Sequence, residues 1–154
     1  MKSQLSLIMR VTYYLYLLTV PILLVYGFLY LFKTQFMPYH SIAIGLPWEQ
    51  VPQGFQIVIL ALMRVVGGSF IALAIALLMI LGIPFRNGHR WAYYTVPIMG
   101  ILCGGASLYA TLYVKIKTNA NTPWLAAGIP VLIYIIGLIM TLKDGKRSLT
   151  GASS

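Results

Sequence analysis

Apolar positions fall into four long runs, Val11–Phe32, Phe55–Ile83, Trp91–Val114 and Trp124–Leu142, divided by shorter polar stretches. Each run exceeds the roughly 18 residues at which an apolar segment reads as a spanning helix, since about 20 residues cross a ~30 Å hydrocarbon core. The pattern predicts an all-α protein, a four-helix transmembrane bundle over residues 11–142, with a cytoplasmic N-terminus at 1–10 and a polar, disordered cytoplasmic tail at 143–154. The first run is longer than the ~7–15 residues of a signal-peptide core, and no small-x-small site follows it, so it reads as a retained span.

The breaks between runs carry their own signals. Pro84 and Arg86-Asn87-Gly88-His89 predict a tight turn, with Trp91, Tyr93 and Tyr94 following at an interface. Thr122 is placed to cap the last helix, Pro123 to open it and Trp124 to anchor it. The stretch Lys33–Pro52 is long for a connection in so small a protein; its apolar segment Ile42–Leu46 suits a loop lying over the bundle.

Composition changes the picture in one respect. Sixty per cent of the 154 residues are hydrophobic and 8% charged, against about 25% charged in a soluble domain, which excludes a soluble fold. The net charge of +9 comes from basic residues scattered at the ends of the apolar runs, so it points to membrane lipids as partners, not to nucleic acid. With an N-terminus in the cytoplasm, Lys2, Arg10, Arg86, Arg90, Lys143, Lys146 and Arg147 fall inside and Lys33, Lys115 and Lys117 outside. The expected topology is therefore N-in/C-in, with the Lys33–Pro52 loop extracytoplasmic, in a bacterial inner (cytoplasmic) membrane. The single cysteine, Cys103, excludes an internal disulfide, a CxxC pair and a thiolate metal cluster.

Arg64 is the one ionisable residue inside an apolar run, where a charge costs from about 2.5 kcal/mol upwards. Taking Phe55 as the outer end of the second span puts Arg64 about 13 Å deep. Gly67 and Gly68 share its face and predict close helix packing there, with Gln53 at nearly the same angle. Thr12, Tyr16, Thr19, Tyr26 and Tyr30 form a stripe on the first span, and Gly100, Gly104, Ser107 and Thr111 a small-residue stripe on the third. Phase and depth bring Tyr26, Tyr30, Arg64, Ser107, Tyr109 and Tyr134 around one outer-leaflet cavity, with His40 in the loop above and Glu49 as counter-ion to Arg64. Gly67, Gly68, Gly100 and Gly104 are expected packing positions.

Catalytic motifs are missing from the sequence: there is no HExxH, no carboxylate pair within a span, no Walker loop and no dinucleotide fingerprint. No metal site or cofactor is expected. The function expected is a non-catalytic integral membrane protein, binding a lipid-like ligand in the outer cavity or serving as a small subunit of a membrane complex with a protein partner or a second copy. Two alternatives stand beside it: a membrane enzyme or redox accessory acting on a quinone-like or sterol-like substrate, and a small oligomeric anion transporter.

Met37-Pro38-Tyr39-His40 through Trp48-Glu49, then Gln56 to Arg64-x-x-Gly67-Gly68, then Arg86-x-x-x-Arg90-Trp91-Ala92, resemble small bacterial four-helix membrane proteins of the distantly DoxX-like group. The resemblance spans roughly residues 10–142 in layout. It implies a four-helix bundle with an Arg-x-x-Gly-Gly element in the second helix; some relatives are linked to quinone-coupled oxidation through partner proteins.

Overall fold

The computed structural model describes residues 5–150, with side chains described for 5–144. The described chain is all-helical. Its order is α1 (Leu7–Phe32), α2 (Pro38–Ile44), a single 3-10 turn at Trp48–Gln50, α3 (Gln53–Ile80) running on into a π-helical turn at Leu81–Phe85, α4 (Arg90–Thr118) and α5 (Trp124–Thr150). Four of these helices are long and apolar enough to cross a membrane: Leu7–Phe32, Gln53–Phe85, Arg90–Thr118 and Trp124–Asp144. They make the chain a multi-pass membrane protein by length and composition.

The helices start earlier or end later than the apolar runs because polar residues also take helical backbone at their ends. α1 begins four residues before Val11, where the Ser6 side chain accepts the Met9 amide at 3.1 Å. α5 continues to Thr150, so most of the segment expected to be a disordered tail is helical. Residues 1–4 and 151–154, including Lys2, lie outside the described residues, as do the side chains of Lys146 and Arg147. Thr122 does not cap α5. Its hydroxyl donates instead to the Thr111 carbonyl at 2.9 Å, which ties the start of α5 to α4.

The Lys33–Pro52 connection is more structured than expected. α2 starts with Pro38 in its first turn and stops at Gly45, whose φ of 72° is the left-handed conformation that favours glycine. The following 3-10 turn is held down by Gln56, whose amide donates to the carbonyls of Trp48 and Val51, each at 2.9 Å. Phe36, Val51 and Met63 are buried here in a small core packed by Trp48, Ile59 and Leu60.

α1 packs along α3, α4 along α5, and α1 also meets α5. α3 and α4 scarcely touch; they converge at the π-helical turn, next to the short 86–89 link. The main core lies towards that end of the bundle. Tyr16, Leu77, Phe85 and Val96 are fully enclosed there, and the Phe85 ring meets Tyr93 edge-on at 4.8 Å. The bundle is thus packed solid at the 86–89 end and splayed at the α2 end.

Candidate functional site: a groove between the second and third long helices

The splay leaves a groove of about 520 Å³, within the 300–1,000 Å³ typical of sites for small ligands. α1 supplies its back wall with Ile22, Leu23, Tyr26 and Tyr30. α3 supplies Val65, Val66, Ser69 and Phe70 on one side, and α4 faces them with Cys103, Gly104, Ser107 and Thr111. α5 closes the far wall with Ala126, Ala127 and Pro130. α2 reaches across towards α4 and roofs the groove with Tyr39 and His40.

The wall is apolar for a simple reason. The hydroxyls of Ser69, Ser107 and Thr111 each turn back to a carbonyl of their own helix, at 2.8, 2.9 and 3.0 Å. Apart from the weakly donating Cys103 thiol, side chains with hydrogens to spare are confined to the α2 end. Tyr30 and Tyr39 share one hydrogen bond of 2.8 Å between their hydroxyls. Tyr26 and His40 make no hydrogen bond to a described residue. Burial lowers the His40 imidazole pKa below its ordinary value, so the ring is held neutral. Burial, reinforced by the bond to Tyr30, raises the pKa of Tyr39.

The floor is a polar pair. Tyr134 is buried one helical turn beyond Pro130, lies over Gly100, and bonds the Thr19 hydroxyl, which in turn donates to the Tyr16 carbonyl at 2.7 Å. Of the residues expected around the cavity, Tyr26, Tyr30, Ser107 and His40 line the groove, and Tyr134 sits beneath it.

Three expected members lie elsewhere. Tyr109 is 71% exposed and stacks on Tyr113 on the outside of α4. Glu49 is exposed on the 3-10 turn, and neither it nor Arg64 bonds a described residue, so Glu49 is not the counter-ion of Arg64. Arg64 itself is exposed and not part of the groove lining.

Helical phase and helix length explain the Arg64 correction. At 100° per residue Gly67 and Gly68 lie 100° apart, with Arg64 between them, so only one glycine can face α1. Gly67 does, and a Cβ there would meet Gly27 O and Leu31 N at 2.6 Å; a Cβ at Gly68 would meet nothing within 4 Å. Gly68 is therefore not a packing position within this chain, and Arg64 shares its outward flank. The same contact sets the level: Arg64 lies about 4.5 Å beyond Gly67 towards the α3 N-terminus, alongside the last turn of α1 and Lys33. Beyond Arg64, α3 runs on for about 16 Å to its start at Gln53.

Gly100 receives the Tyr134 ring and Gly104 faces Val131. Sequence reasoning missed Tyr39 and the pairing of Gly67 with Gly27. Among the described residues no group of three His, Cys, Asp or Glu side chains could hold a metal. No family model, curated protein or solved structure matches the chain.

Proposed function

We propose that this protein binds a lipid-like molecule, taken laterally from the bilayer into the groove between α3 and α4. The observation that carries the reading is the separation of those two helices beneath the α2 roof, which leaves about 520 Å³ with an apolar wall and hydrogen-bonding groups at one end. Bilayer lipid has that same polarity pattern. An anion site built on Arg64 gains no support, because Arg64 is outside the groove.

The topology proposed is N-in/C-in. Arg10, Arg86, Arg90 and Lys143 cluster at the end opposite α2, and Arg10 lies about 34 Å along α1 from Lys33, close to one hydrocarbon thickness. The α2 roof then faces the extracytoplasmic side. Labelling of cysteines placed singly at Gly45 and Gly88, in a Cys103→Ser background, tests this; reaction of Gly88→Cys from outside the cell would reverse the assignment.

The test of binding is native mass spectrometry of the protein extracted gently from its own membrane, alongside Ala127→Trp, which fills the groove. The reading expects one enriched species at a fixed ratio that the variant loses. Bulk lipid in both proteins would count against it.

A subunit role is a second reading, favoured by one observation. Gly68 and Ala72 lie on the outer side of α3 at a small-xxx-small spacing that this chain leaves uncovered. Disulfide trapping through Gly68→Cys in native membranes tests it.

A further inference from the structure

The hydrogen-bonding inventory of the groove goes further than its shape. None of its lining residues is Asp, Glu, Lys or Arg. An ionised head group placed there would lose its hydration with no opposite charge to replace it. Neutral partners are available only at one end. The Tyr30–Tyr39 pair carries two hydroxyl hydrogens and uses one between its members, so one is left to donate. Tyr26 has a free hydroxyl and His40 a free imidazole, which when neutral offers one donor and one acceptor.

Further along, the hydroxyls of Ser69, Ser107 and Thr111 have given their hydrogens to backbone carbonyls. The far end offers Phe70, Ile22 and Pro130, with only the weakly donating thiol of Cys103 among them. The groove is therefore polar at the roof, apolar below it and uncharged throughout.

We infer that the groove selects an uncharged amphiphile whose head carries hydroxyl or carbonyl oxygens, seated head-first against Tyr26, Tyr30, Tyr39 and His40 with its tail running towards Pro130. This rests on the groove being a lipid-binding site. It adds the class of ligand and the direction in which it lies. Phospholipids, which carry a charged phosphate at the head, are excluded as preferred occupants, and neutral isoprenoid, sterol or long-chain alcohol chemistry is admitted.

The test uses the full chain in phosphatidylcholine nanodiscs and three radiolabelled probes with the same sixteen-carbon tail: hexadecan-1-ol, hexadecyl phosphate and hexadecyltrimethylammonium. Binding to empty nanodiscs is subtracted. The alcohol is expected to bind at least about tenfold more tightly than either ion. Tyr39→Phe is expected to weaken the alcohol about 5- to 10-fold, the scale of one net hydrogen bond, and to leave the two ions unchanged. Equal or tighter binding of the phosphate or the ammonium, with loss in Ala127→Trp, overturns the ligand class and leaves the groove as a binding site. Alcohol binding that survives Ala127→Trp unchanged, or no saturable binding of any probe, overturns the groove itself. Tight alcohol binding that is indifferent to Tyr39→Phe and to His40→Phe overturns the head-first orientation.

Discussion

Gly67 of α3 rests its backbone directly on Gly27 of α1: a Cβ on Gly67 would come within 2.6 Å of the Gly27 carbonyl oxygen, and one on Gly27 would meet the Gly67 carbonyl at 3.1 Å. Two helices that approach this closely pair the back wall of the groove with one of its sides. α1 and α3 therefore act as one unit, and the groove's width is set by how α4 and α5 stand against them.

The adjacent glycines give a controlled comparison. Gly67→Ala forces its methyl into backbone atoms that cannot rotate away, and overpacking of this kind costs about 1–3 kcal/mol. Gly68→Ala meets open space and removes a flexible residue from a helix interior, so it is expected to be neutral or slightly stabilising. Unfolding of both variants in mixed micelles measures this. A Gly68→Ala variant as destabilised as Gly67→Ala would mean that the two faces of α3 are assigned the wrong way round.

Arg64→Gln follows from the same geometry. The guanidinium bonds no described residue and lies level with the end of α1, so its removal is expected to change monomer stability by less than about 0.5 kcal/mol. Hexadecan-1-ol binding should be unchanged as well. A large loss of either would restore Arg64 to the core or to the site.

Much of the architecture was readable from the periodicity of apolar residues, and the reasons for the failures are specific. The stripe Thr12, Tyr16, Thr19, Tyr26, Tyr30 does face inward, with its first three members buried and its last two in the groove. Periodicity alone could not say where along the stripe packing would give way to space. That depends on α3 and α4 meeting near the π-helical turn and separating beyond it, a relation between segments distant in sequence. α2 was missed because seven residues show no helical period, yet Pro38 at its start and Gly45 at its end were a usable signal. Arg64 was misplaced because phase puts it between two glycines and sequence does not say which of them is covered.

His40 predicts a pH dependence. Its pKa is lowered in the folded protein by burial, so below about 6.5, the ordinary histidine value, the unfolded chain binds a proton that the folded one resists. Stability then falls as pH drops, and is regained as pH rises above that value. The rings beside His40 are Phe36 and Tyr39, neither of which supplies a compensating charge. Hydrogen-exchange protection factors of residues 38–45, corrected for the intrinsic rate at each pH, should fall between about pH 6.5 and 5 in the wild type, and His40→Gln should flatten that slope. A slope that persists in the variant assigns the effect to another group.

Two buried tyrosines in contact make opposite predictions for the same chemical change. Tyr16 and Tyr134 stack at 5.5 Å between ring centroids, and both are almost completely enclosed. The Tyr134 hydroxyl is bonded to Thr19. The Tyr16 hydroxyl has no hydrogen-bond partner; its polar neighbour is Thr141, whose own hydrogen goes to the Gly137 carbonyl at 2.9 Å. A buried hydroxyl without a partner carries a desolvation cost that its removal relieves, whereas loss of a made bond costs about 1 kcal/mol. Tyr134→Phe is therefore expected to destabilise by about that amount, and Tyr16→Phe to be neutral or stabilising. Thermal unfolding of the two variants in one detergent distinguishes them. Destabilisation by Tyr16→Phe equal to that of Tyr134→Phe would show that the Tyr16 hydroxyl donates to Thr141 in the folded protein.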